Sequence, residues 1–145
     1  VLTEDFTRSL SEVEQDVKKA VEEIRRLAGE LDAIEKEYSE AKNTFKVGVM
    51  YRVEGRVVRG EDLLAEAERR YYNRLKALRT RFFEADSAIR SFFSRVYYPW
   101  LKLRREVTVT EQVVIGQRVA NLYRLVARVR KQREMLSKKL HEKRH

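Results

Sequence analysis

The chain of 145 residues contains no cysteine, one proline, five glycines and two histidines. Without cysteine there are no disulfides, no thiolate zinc sites and no cysteine nucleophile. The scarcity of proline and glycine leaves few points at which a helix must end, so the elements are expected to be long. No apolar run approaches the length that crosses a bilayer, and no charged-then-apolar signal segment is present, which predicts a protein without membrane insertion.

Both histidines fall in the last five residues, His141-Glu142-Lys143-Arg144-His145, which match the H-E-x-x-H pattern of zinc peptidases. That pattern needs a third ligand and a cleft. At a fraying terminus we expect a solvated end that binds no metal. With no other histidine, no glycine-rich phosphate loop and no inward Glu-x-x-His motif, the sequence predicts neither an enzyme nor a cofactor.

Positive charge is confined to part of the chain. Residues 1–45 contain 12 acidic and 7 basic residues, whereas residues 46–145 contain 25 basic and 11 acidic residues, so the net +9 divides into −5 and +14. A basic body that also carries Tyr, Phe and Arg is typical of a protein with a polyanion partner. The alternative is the charge-rich surface of a heat-stable helical protein.

Residues 9–45 carry a heptad pattern of apolar residues. Its positions recur every seven residues and again three residues later, and they are Leu10, Val13, Val17, Ala20, Ile24, Leu27, Leu31, Ile34, Tyr38, Ala41 and Phe45. A seam sustained for five heptads is typical of a helix that packs along its length against other helices. Ser9 with Glu12, or Ser11 with Glu14, offers a capping box.

The segment 46–60 interrupts the helical pattern. It reads KVGVMYRVEGRVVRG, with Val49, Tyr51 and Val53 alternating before Glu54-Gly55. Such alternation is typical of a short β-hairpin, and an ordered basic loop is the alternative.

Two further helices are predicted, over 61–98 and 108–141. Apolar stripes at helical spacing run along them, through Tyr71, Leu75, Leu78, Phe82, Ala85, Ile89, Phe92 and Val96, and through Ile115, Val119, Leu122, Val126, Val129, Leu136 and Leu140. Pro99 is expected to end the first, and Thr108 with Glu111 forms a capping box for the second. Because helices of this length reach about 45–57 Å, the predicted fold is all-α: one domain, 1–145, forming an elongated bundle of three or four long amphipathic helices.

Basic residues lie beside and opposite these stripes. Arg74, Arg81 and Arg95 repeat at heptad spacing, and a polar line with few acids runs along the last helix through Gln117, Asn121, Arg124, Arg128, Lys131 and Lys138. A uniform line of cations suits a phosphate backbone better than base edges. The predicted nucleic-acid-binding residues are Lys46, Arg52, Arg56, Arg59, Arg74, Arg81, Arg95, Arg124, Arg128, Lys131 and Lys138.

Aromatic residues are concentrated around Pro99. Three slender helices offer more apolar surface than they can hide, and leftover apolar surface normally marks an interface. We therefore predict self-association through Phe92, Phe93, Tyr97, Tyr98 and Trp100.

In overall character the chain resembles the major capsid proteins of filamentous viruses of hyperthermophilic archaea. It shares small size, long helices, absence of cysteine, a composition typical of hot habitats and basic surfaces rich in Arg, Tyr and Phe. The resemblance implies paired helical subunits, identical or homologous, that wrap linear double-stranded DNA and hold it in A-form. It implies location in the virion, and in the host cytoplasm before assembly. The acidic residues 1–45 depart from the basic N-terminal arm expected of that group.

Two other functions fit the same residues. One is a DNA-binding protein associated with chromatin or transcription, which would bind sparsely and with sequence preference. The other is a coiled-coil scaffold for proteins, which would ignore DNA.

Overall fold

Long helices joined by short segments make up the structure. The computed structural model describes residues 2–142 and contains α1 (Leu2–Thr44), β1 (Met50–Val53), β2 (Arg56–Arg59), α2 (Gly60–Arg79), α3 (Phe83–Phe92), a π-helical turn (Phe93–Tyr97), α4 (Tyr98–Leu103) and α5 (Val109–Glu142). Helix accounts for 84% of the structure, which confirms the all-α class. Helix α1 begins at Leu2 and not near residue 9. Phe6, which continues the heptad spacing toward the N-terminus, is buried with the rest of the seam.

The described residues form two compact units, although the sequence predicts one domain. The first unit comprises residues 2–26 and 82–138. The second comprises residues 27–81 and 139–142. Helices α1 and α5 each contribute to both.

The core of the first unit is formed by three helical segments. Its buried side chains come from the start of α1, from the segment 82–100 and from α5: Phe6, Leu10, Val13, Val17, Ala20, Ile24, Phe82, Ala85, Ala88, Phe92, Val96, Trp100, Ile115, Val119, Leu122, Val126, Val129 and Leu136. The predicted stripes therefore mark the buried faces of α1 and α5. In α3, Ala88 is buried and the predicted Ile89 is half-buried.

Pro99 does not end its helix as predicted. Proline has no N–H to donate to the carbonyl four residues earlier. The chain widens into the π-helical turn just before it, where the Tyr98 N–H donates to the Phe93 carbonyl, five residues back. The helix then continues to Leu103, and Trp100 stacks on Phe6 with ring centroids 5.6 Å apart. A wide turn of this kind lets a helix absorb a proline.

The predicted continuous helix 61–98 is also broken at residues 80–82. The Thr80 hydroxyl donates to the Ala77 carbonyl at 2.8 Å, and the Thr80 N–H bonds the same oxygen at 3.3 Å. Side-chain bonds of this type compete with the helical ladder, and α2 ends at Arg79.

The second unit is built on the antiparallel pair of α1 and α2. Leu27, Leu31 and Ile34 pack with Tyr71, Leu75, Leu78 and Leu140, which are all buried. Nearer the hairpin, Tyr38 stacks on Tyr71 at 4.5 Å, and burial raises the pKa of the Tyr38 hydroxyl above its ordinary value, with a further contribution from Glu68. Further toward the C-terminal end of α1, the seam residues Ala41 and Phe45 are only half-buried.

The predicted hairpin over 46–60 is confirmed. Strands β1 and β2 are antiparallel, with Val53 opposite Arg56. Glu54 and Gly55, at φ 51° and 79°, form a two-residue turn with both φ values positive, as in a type I′ turn.

The hairpin is anchored to the end of α1. The Tyr51 hydroxyl accepts from the Lys46 N–H at 2.8 Å and donates to the Thr44 carbonyl at 3.3 Å. Gly60 N–H donates to the Val49 carbonyl at 2.8 Å. A Cβ on Gly60 would lie 1.8 Å from the Lys46 carbonyl oxygen, so only glycine permits this approach.

Candidate nucleic-acid interface

Helix α5 starts at the capping box that the sequence predicts. The Thr108 hydroxyl accepts from the Glu111 N–H at 3.2 Å, and the Glu111 carboxylate accepts from the Thr108 N–H at 3.3 Å. The capping box fixes the residue at which α5 begins. The apolar stripe faces the core and the predicted polar line is exposed along its whole length.

The polar line on α5 keeps its positive charge. Gln117 donates to Asn121 at 3.0 Å, and Arg124 donates to the same Asn121 oxygen at 3.0 Å. An amide partner orients the guanidinium without neutralising it. Arg128 and Lys131, and Lys138 further along, make no ion pair with any residue between 2 and 142.

The three arginines predicted at heptad spacing on the second helix behave differently. Arg74 pairs with Glu37, Arg81 pairs with Glu30 at 2.6 Å, and Arg95 pairs with Glu12. Each carboxylate belongs to α1. Charged residues that flank an apolar seam commonly form such interhelical pairs. Because their charges are matched within the chain, these arginines are weaker candidates for phosphate contacts than Arg124, Arg128 and Lys131, and their binding to nucleic acid stays a prediction.

Two cations of α5 are likewise matched. Arg118 pairs with Glu14 and also donates to the Ser11 hydroxyl at 3.2 Å. Arg133, the polar residue that interrupts the apolar stripe, donates to both carboxylate oxygens of Asp86 at 3.0 and 3.2 Å. It also stacks over the Phe82 ring at 4.6 Å, which explains how an arginine is tolerated at that position.

The hairpin presents a second set of exposed cations. Lys46, Arg52, Arg56 and Arg59 are all exposed, and their side chains form no ion pair in the described part of the chain. The strand register places Arg52 beside Val57 and Met50 beside Arg59. Met50, Arg52, Val57 and Arg59 therefore share one face of the hairpin, because the side chains of paired residues lie on the same side of the sheet. The Arg56 side chain lies on the other face.

The predicted aromatic interface is divided by the structure. Phe92 has no exposed surface and Trp100 is buried on Phe6, so neither is accessible to a second subunit. Trp100 is buried because the helix continues through Pro99, whereas Phe92 belongs to the apolar stripe on the buried face of α3. Tyr98 is exposed, whereas Phe93 and Tyr97 are half-buried. Tyr123, which lies outside the predicted apolar stripe of α5, joins this surface cluster at 5.4 Å between its ring centroid and that of Tyr97.

The structure offers no grouping for a metal ion within residues 2–142, counting clusters of three or more His, Cys, Asp or Glu. Of the terminal H-E-x-x-H pattern, His141 and Glu142 are exposed, and Lys143, Arg144 and His145 lie outside the described residues. Among the described helices none has the length and apolarity needed to cross a membrane.

Comparison with protein families, curated proteins and solved structures found no match to this chain. The resemblance to viral capsid proteins therefore stays a prediction.

Proposed function

We propose that this protein is a structural nucleoprotein, a viral capsid subunit that assembles on double-stranded DNA through sequence-independent phosphate contacts. The observation that carries the proposal is the division between its cations. Arginines that face α1 are paired with carboxylates, whereas Arg124, Arg128 and Lys131 are exposed and have no carboxylate partner among the described residues. A protein that needed charge only for solubility would not keep one helical face so free of acids.

The mechanism is physical. Arg and Lys side chains neutralise phosphates and release condensed counterions, which supplies affinity without reading bases. The hairpin, in the second unit, offers a separate set of exposed cations, Lys46, Arg52, Arg56 and Arg59. Coverage of the duplex by many copies excludes water and favours the A-form, whose geometry is recognised through its backbone and shallow minor groove. In this function the protein resides in the virion, and in the host cytoplasm before assembly.

Electron microscopy of the protein with linear duplexes of two unrelated sequences tests the proposal. We expect both duplexes to be coated continuously, with the same mass of protein per unit length. Isolated particles at preferred positions would indicate a chromatin- or transcription-associated protein instead. Filaments that form equally without DNA and carry none would indicate a protein scaffold.

A further inference from the structure

An open groove runs along the α1–α2 pair in the second unit. Its volume is about 360 Å³. Apolar residues of both helices form its floor, and they are Ile34, Tyr38, Ala41, Phe45, Leu63, Ala67 and Tyr71. Charged residues form its rims, and they are Glu37, Glu40, Glu66, Arg70 and Arg74.

The groove lies on the continuation of the α1 heptad seam. At Leu10, Val13 and Val17 the same seam is at most 1% exposed. At Tyr38, Ala41 and Phe45 it is half-buried, although its heptad spacing is unchanged. A seam that keeps its apolar pattern while remaining partly uncovered is typical of a helix that lacks one packing partner.

Charge is distributed unevenly along the groove. At the end that contains Ile34, Arg70 and Arg74 both pair with the carboxylate of Glu37, and the Arg70–Glu37 distance is 3.2 Å. Two cations share one anion there, so that end is net positive. Toward the hairpin, Glu40 and Glu66 are exposed and pair with no cation in the described chain. The groove is therefore positive at one end and negative at the other.

We propose that a second copy of this chain occupies the groove, with its own α1–α2 pair packed face to face about a two-fold axis. In a two-fold dimer both copies use the same patch, so one end of the groove in one copy faces the opposite end of the groove in the other copy. Arg70 and Arg74 of one copy then face Glu40 and Glu66 of the other. The apolar floors meet between them, and the four helices form a short bundle.

The charge pattern favours a second copy over an unrelated partner. A groove of one sign would repel itself, whereas a groove with opposite ends is complementary to its own two-fold image. Ala41 and Ala67, which line the groove next to Glu40 and Glu66, are small enough to let helices approach closely. The segment 34–45 is about 18 Å long, so the interface is small and we expect dissociation in the micromolar range.

Charge reversal tests this pairing in the absence of nucleic acid, so that its failure and a failure of DNA binding are distinguishable. One variant carries Glu40→Arg with Glu66→Arg, and the other carries Arg70→Glu. Arg74 is left intact to preserve its pair with Glu37. We expect each variant alone to dimerise about tenfold or more weakly than the unmodified chain, because like charges then face each other. An equimolar mixture should recover dimers, since the two reversed grooves attract.

Sedimentation equilibrium measures the association, and circular dichroism confirms that both variants are folded. Asp32→Arg is the matched control, because Asp32 is an exposed acid of α1 that does not line the groove. It should leave dimerisation unchanged. A monomeric unmodified chain at high concentration, or variants that associate normally, would overturn the proposal. Association lost in both variants but not recovered on mixing would also reject the two-fold arrangement.

Crosslinking supplies a second measurement that does not depend on charge. The chain has no cysteine, so one can be introduced alone. Ala41→Cys, near the middle of the groove, should be joined to its symmetry mate by a short bismaleimide. Ser39→Cys, exposed on α1 and absent from the groove lining, should react far less in the same dilute solution. Equal crosslinking of both variants would contradict the proposed face.

Discussion

The α1 seam is buried to different depths along its length. It is buried as far as Ile34 in both compact units, and it is half-buried at Tyr38, Ala41 and Phe45, nearer the hairpin. In the first unit it is covered by the 83–103 helical segment and α5, and Leu10 and Val13 have no exposed surface. In the second unit Leu27, Leu31 and Ile34 are also buried, whereas Phe45, near the hairpin, is half-buried. A heptad pattern therefore identifies the side of a helix that faces a partner, whereas the depth of burial at each position depends on what packs against that part of the helix.

A second difference concerns cations that share the same helical spacing. Arg74 and Arg81 are seven residues apart, and they meet Glu37 and Glu30 on α1. Arg124 and Lys131 are also seven residues apart, yet they face no carboxylate in the described structure. Spacing alone does not separate an ion pair from a free binding surface. The residues on the facing helix decide whether a cation forms an ion pair or remains free to bind a ligand.

The largest expected effect compares two phenylalanines from the two units. Phe92→Ala should lower the free energy of unfolding by about 3–5 kcal/mol, because it leaves a cavity in a fully buried site. Phe45→Ala should cost less than about 2 kcal/mol, since part of that ring already contacts water. Urea denaturation at low protein concentration measures both without a contribution from self-association. Equal costs would show that the second unit is packed as tightly as the first.

A smaller effect is expected from a pair of glycine substitutions in the second unit. Gly60→Ala should destabilise by about 1–3 kcal/mol, because the new Cβ meets the Lys46 backbone and must displace the base of the hairpin. Gly29→Ala should stabilise by roughly 0.5–1 kcal/mol, since this helical glycine has open space around it. Thermal unfolding checks both signs. A neutral Gly60→Ala would mean that the hairpin is not held against the end of α1.

Much of the fold was predictable because it depends on local patterns. The α1 and α5 stripes, the Thr108 capping box and the Glu54-Gly55 turn each have a short-range physical cause. The break at Thr80 and the π-helical turn before Pro99 were missed. Both depend on which carbonyl a backbone or hydroxyl donor reaches, and apolar periodicity does not reveal that choice.

The candidate site was only partly predictable for a related reason. The exposed line on α5 follows from helical geometry once the buried stripe is known. The pairing of Arg81 with Glu30 joins residues 51 positions apart in sequence, so it depends on how α1 and α2 align. The open groove depends on how α1 and α2 align between Ile34 and Phe45. Such long-range facts are not encoded in any single segment.

The salt dependence of duplex binding tests the central claim most directly, by comparing two triple variants that each remove three cations. Arg124→Gln, Arg128→Gln and Lys131→Gln together should make the slope of log K against log salt less steep by up to about 2.7, because three phosphate contacts are lost. Arg74→Gln, Arg81→Gln and Arg95→Gln together should leave the slope nearly unchanged and cost only about 0.2–1 kcal/mol of stability per pair. If the second triple reduced the slope as much as the first, or if the unmodified protein bound duplex DNA without salt dependence, the proposed α5 surface would be contradicted.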